Sequence, residues 1–164
     1  MAARIADRAR YRQRIKALLA REVGVGGGFA AEIEVQAHWA KYNCVLISGY
    51  LEQAIKEILL GHVSASSPRR VVRYVETGWP SSKNMSVEAI TKILNQFDQR
   101  WGERFEAWTR ESERKKEVNE IIKWRNDIAH GNEANTNNVT KASVAQKFKV
   151  ACDLVDFVES LPAE

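Results

Sequence analysis

The chain of 164 residues has only three prolines, at positions 68, 80 and 162. Proline breaks helix interiors, so long stretches without it leave room for long helices and favour an all-α fold. Two cysteines, Cys44 and Cys152, are too few for a disulfide-stapled scaffold. Each sits among apolar neighbours with no secretory signal ahead of it, which predicts buried free thiols in a reducing, cytoplasmic setting rather than a disulfide. No apolar run approaches the ~20 residues of a membrane span, so no membrane partner is expected. Histidines number three, and neither His38 nor His62 has a second ligand at metal spacing, so neither a metal nor a cofactor is expected. Net charge is only +4, from 25 basic and 21 acidic residues, too little by itself to mark a nucleic-acid partner.

What is present is unevenly placed. Hydrophobic residues make up 45% of a length that suits a single domain with a real core. Seven bases (Arg4, Arg8, Arg10, Arg12, Arg14, Lys16 and Arg21) stand against Asp7 alone in the first 21 residues. Ile5, Ala9, Ile15, Leu18 and Leu19 thread a ragged apolar stripe through them, predicting a basic helix over residues 3–22. Its Arg4, Arg8 and Arg12 are candidates for tracking phosphates, the plain alternative being a solvated face. Gly24, Gly26, Gly27 and Gly28 then interrupt the pattern. No strand precedes them and no lysine with serine or threonine follows, so they predict a hinge rather than a phosphate loop. The expected division is a basic N-terminal helix and glycine-rich hinge over 1–28, then a helical domain over 29–162.

From Phe29 to about Val63, Trp39, Tyr42, Leu46, Ile47, Tyr50, Leu51, Ala54, Ile55, Ile58 and Leu59 recur at three- and four-residue spacing. They cover more than half the circumference, which predicts a central, largely buried helix. Ser67-Pro68 predicts the start of a short helix that ends at Gly78. Ser86 is placed to cap another, with Met85 and Ile90 as a hydrophobic staple. Trp101, Phe105 and Trp108 form an aromatic stripe that suits the core or, alternatively, stacking on RNA bases. Residues 110–117 mix both charges and predict a kink or an exposed helix start. Thr140 is placed to cap the last helix, whose Val144, Phe148, Ala151, Val155 and Val158 repeat at four and three.

The stretch that concentrates chemistry is Ile121 to Gly131, a predicted helix closing at the glycine. Arg125 offers a permanently charged fork suited to phosphate oxygens. Asn126 can donate to a non-bridging oxygen or a sugar hydroxyl, and His130 can exchange a proton near neutral pH. Regular helix geometry sets Arg125 about 140° round the axis from His130. Glycine after histidine is where a left-handed C-cap falls, which favours a loosened last turn carrying His130. Lys123 adds a nearby cation for substrate, and Asp127 is expected to pair with it. Without a family pattern, Arg125 and His130 also make sense as residues that complement the dipole at a helix C-terminus.

The run Arg125-Asn126-Asp127-Ile128-Ala129-His130 resembles the signature of HEPN domains, in which arginine and a polar residue precede histidine by a few positions. The order of elements is similar too, with a long apolar helix upstream and an amphipathic helix after the signature. The stand-alone RiboL-PSP-like subgroup is the nearest in character. This resemblance implies an antiparallel bundle of five or six helices in one domain. It also implies a homodimer whose interface forms a composite cleft from two copies of Arg125, Asn126 and His130. The activity implied is metal-independent endoribonuclease action on RNA, in a toxin or phage-defence effector, with an antitoxin or a nucleotidyltransferase as candidate partners. The rival expectation is a catalytically silent HEPN-like module for RNA binding or dimerisation. DNA binding by the basic first helix finds no helix-turn-helix spacing or zinc set to support it.

Overall fold

The computed structural model describes residues 2–21, 29–79 and 84–163, so the hinge expected at the glycine run lies outside the described residues. Seven α-helices fill the described chain and no strand occurs among them: α1 Ala2–Ala20, α2 Phe29–Ser66, α3 Arg69–Gly78, α4 Val87–Phe97, α5 Gln99–Arg110, α6 Arg114–Ala129 and α7 Lys141–Ser160. Six pack into the bundle, and α3 flanks it without burying a residue.

The wide apolar stripe makes α2 the axis of the fold. Its 38 residues span roughly 57 Å at 1.5 Å each. Ile47, Leu51, Ala54, Ile55 and Leu59 are fully enclosed, with α1, α6 and α7 packed around them. From α1, Ile15 and Leu19 enter the same core. Burying each contributes roughly 1.5–3 kcal/mol. Trp39 Nε1 donates to the Leu18 carbonyl at 3.2 Å, and the Tyr11 ring meets Tyr50 edge-on at 5.9 Å, fixing α1 along α2.

Local signals set most helix starts. Ser86 accepts from the Ala89 amide at 3.2 Å to cap α4, with Met85 and Ile90 both buried. Thr140 and Ser143 form a reciprocal capping box on α7. Asp98 ends α4 and caps α5, accepting from the Arg100 amide at 2.8 Å. One expectation shifts. The helix start expected at Ser67-Pro68, with Ser67 in the cap position, has Pro68 as its cap, whose carbonyl accepts from the Val71 and Val72 amides, and α3 begins at Arg69. Proline has no side-chain acceptor, so this end has no side-chain cap.

The aromatic stripe goes to packing. Phe105 is fully buried, Trp108 stacks on Phe157 at 5.0 Å, and Trp101 stacks on Phe97 at 6.3 Å. Gly102 permits the close α4–α5 approach, since a Cβ there would lie 1.9 Å from Asn95 Oδ1. The mixed-charge segment is a kink, with Ser112 and Glu113 at φ 52° and 57°. Arg114 spans it, donating to the Trp108 carbonyl and to Glu111, each at 2.9 Å, while its guanidinium lies 4.4 Å from the Trp108 ring centroid.

Candidate active site

The signature occupies the last turn of α6. Val118, Ile121, Ile122 and Trp124 turn inward, and this anchors the helix against α2 and α7. Lys147 of α7, only 5% exposed, bonds Glu117 at 2.8 Å and also Glu120, and its ammonium lies 4.7 Å from the Trp124 ring centroid. The last of these contacts falls on Trp124, the residue just before Arg125.

The helix then ends as a Schellman turn. His130 leaves helical geometry at φ −97°, ψ 3°, and Gly131 takes the left-handed position at φ 70°. The Gly131 amide bonds the Ile128 carbonyl at 3.3 Å, and the Asn132 amide bonds the Asp127 carbonyl at 2.8 Å. The loosened last turn expected from the glycine is therefore what carries His130. Its imidazole is exposed and makes no side-chain hydrogen bond among the described residues. Arg125 and Asn126 are half-buried, and Arg125 Nη1 donates to Asn126 Oδ1 at 3.2 Å. That bond occupies the amide oxygen and leaves the Asn126 NH₂ group as a donor.

Asp127 behaves otherwise than expected. It is 8% exposed and does not pair with Lys123, which stays in solvent. Its Oδ1 accepts from the side-chain amides of Asn132 and Asn135, each at 3.3 Å. The helical offset of four residues set Lys123 and Asp127 on one face. Asp127 is buried where Lys123 is exposed, and the returning asparagine loop supplies its partners instead.

Beside the signature, a groove of about 370 Å³ lies between α2 and the end of α6. Tyr42 and Val45, both exposed on α2, line it together with Ile128 and Gly131. His38 also borders it, 3.8 Å from Glu34, whereas His62 packs edge-on against Trp101 at 5.1 Å. No three histidine, cysteine or carboxylate residues among those described gather as a metal site.

The basic face of α1 turns toward α7. Arg8 pairs with Glu159, and Arg12 with Asp156 at 2.8 Å, so both guanidinia join α1 to α7. Arg4 lies in α1, with its side chain outside the described set. Burial pushes the Cys44 thiol up to about 12 and also raises that of Cys152; both are free.

The model of the family described as RiboL-PSP-HEPN matches residues 6–161. The chain belongs to the RiboL-PSP-HEPN family. The match takes in most of α1 and the whole signature of this HEPN domain. No curated protein and no solved structure matches it significantly. No helix of the described HEPN chain is long and apolar enough to cross a membrane. Sequence reasoning passed over one surface of this domain, the arginines and Tyr74 of α3. Their signal was available in the run Arg69-Arg70-Val71-Val72-Arg73-Tyr74, where an exposed aromatic is set among arginines.

Proposed function

We propose that this HEPN protein is an endoribonuclease that cleaves RNA through the substrate's own 2′-hydroxyl, at a site shared by two protomers. The observation that carries the reading is the open end of α6. Arg125 and Asn126 are held half-buried by packing, His130 projects free from the cap, and an apolar groove runs alongside.

In the reaction, one imidazole takes the 2′-hydroxyl proton as that oxygen forms its bond to phosphorus. The phosphorus–O5′ bond breaks, and a protonated imidazole delivers a proton to the departing 5′-oxygen. Arg125 and the Asn126 amide stabilise the charge that builds on the phosphorane. The nucleophile belongs to the RNA, so the chemistry needs no metal to generate one. It does need one group to take a proton and another to give one, and each chain supplies one signature histidine. An isologous dimer that buries Tyr42 and Val45 against a second copy would provide both, with His130 of the partner subunit completing the pair. A toxin or phage-defence effector is the role this activity suits, with an antitoxin or a nucleotidyltransferase as regulatory partner.

The test is the end chemistry of the products. Cleavage should leave a 2′,3′-cyclic phosphate and a 5′-hydroxyl, and both Arg125→Ala and His130→Ala should abolish it together with toxicity on expression. Cleavage and toxicity retained in both variants would sink the reading.

A further inference from the structure

A second surface stands apart from the signature. A cavity of about 750 Å³ opens between α3, the end of α2 and α4, lined by Val71, Tyr74, Trp79, Ile93 and Phe97, with Gln96 beside them. Tyr74 is 79% exposed, the most solvent-open large apolar side chain among the described residues. Helical geometry at 100° per residue places Arg69, Arg73, Arg70 and Tyr74 in succession over about 140° of α3, with Val71 and Val75 beyond them toward the cavity.

The three arginines do nothing evident for the fold. All are exposed, and none forms an ion pair among the described residues. By contrast, Arg8, Arg12, Arg100, Arg110 and Arg114 each face a carboxylate. Arg69 and Arg70 sit in the first turn of α3, where positive charge opposes the helix dipole. A helix that buries none of its residues gains nothing by carrying them there.

We propose that α3 and the groove beneath it bind single-stranded RNA at a site separate from Arg125 and His130. Arg69, Arg70 and Arg73 follow the phosphates, Tyr74 stacks on a base, and the groove with Trp79 and Phe97 receives an unstacked neighbour. The Gln96 amide offers a donor and an acceptor to a base edge. The choice of RNA rests on the ribonuclease reading. An amphipathic protein helix would use the valines and cavity floor but would leave the arginine strip and most of the Tyr74 ring uncovered, so the surface as a whole favours RNA.

The test uses the full chain carrying His130→Ala, which prevents turnover, and follows binding of a fluorescein-labelled oligouridine by anisotropy across a salt series. Tyr74→Ala should weaken binding about tenfold, while Tyr74→Trp preserves it. Replacing Arg69, Arg70 and Arg73 together by glutamine should lower the salt slope by roughly two, at about 0.7 per phosphate contact on a single strand. Affinity and slope unchanged in every variant would overturn the proposal and leave the groove to a protein partner. Absence of cleavage by the chain with native His130, alongside weakened binding in the α3 variants, would sink the ribonuclease reading while this site stands.

Discussion

Asp127 and Asn132 are joined twice, by a backbone bond of 2.8 Å that closes the Schellman turn and by a side-chain bond of 3.3 Å. The carboxylate beside the signature thus orders the loop that follows it, with Asn135 as a second donor. Asp127→Ala should cost about 1.5–3 kcal/mol, the range for hydrogen bonds to a charged group. Asp127→Asn keeps an acceptor at Oδ1 and should cost less. Lys123→Ala should leave the urea midpoint where it is; a loss there comparable to Asp127→Ala would reinstate the ion pair between them.

Gly131 meets the backbone demand of the same turn. At φ 70° an alanine should cost roughly 1–2 kcal/mol from backbone strain alone, because no atom lies within 4 Å of the added Cβ. The strain falls on the residue next to His130, so Gly131→Ala should also reduce cleavage beyond what the stability loss explains. Unfolding midpoints and cleavage rates on the same samples would separate the two effects.

Lys147 bridges Glu117 and Glu120 from within the α6–α7 interface. Lys147→Ala leaves two carboxylates facing a site that lacks their cation. A fully buried pair broken this way costs about 3–5 kcal/mol, and partial solvation of these glutamates lowers the expectation to about 2 kcal/mol. Lys147→Met, which keeps an unbranched chain against Trp124, should cost less. Equal losses in the two variants would show that the packing of the stem contributes little and that the lost cation accounts for the effect.

What the sequence revealed and what it hid divide along sequence distance. Ser86, Thr140 and Gly131 act within four residues of the groups they satisfy, so their roles could be read directly. Arg8 and Arg12 meet carboxylates more than 140 positions away, a pairing fixed only when α1 lies along α7. The partners of Asp127 come back to it only because Gly131 turns the chain, so local helical spacing selected Lys123 instead. The exposure of Tyr74 follows from α3 resting outside the bundle, which nothing within α3 itself encodes.

Lys115 and Asn119 of α6 hold Glu88, at the start of α4, chiefly through the 2.9 Å bond from Lys115, and lower its pKa to about 2. A carboxylate depressed in the folded state adds stability above its unfolded pKa and loses it as pH falls through the folded value. Acid titration should therefore show a loss between about pH 4.5 and 2 that Glu88→Gln lacks. The effect should be small because both partners are largely exposed. Identical acid profiles for the two proteins would contradict it.

The proton transfer proposed for His130 in RNA cleavage is tested most directly by removing the imidazole. Total RNA should be incubated in EDTA with the native chain and with His130→Ala, after both are shown to have the same oligomeric state. Cleavage by the native chain that is lost in the variant is the expected result. Cleavage by His130→Ala at the native rate, or none by the native chain across a broad RNA set, would contradict it and leave a HEPN fold that binds without cutting.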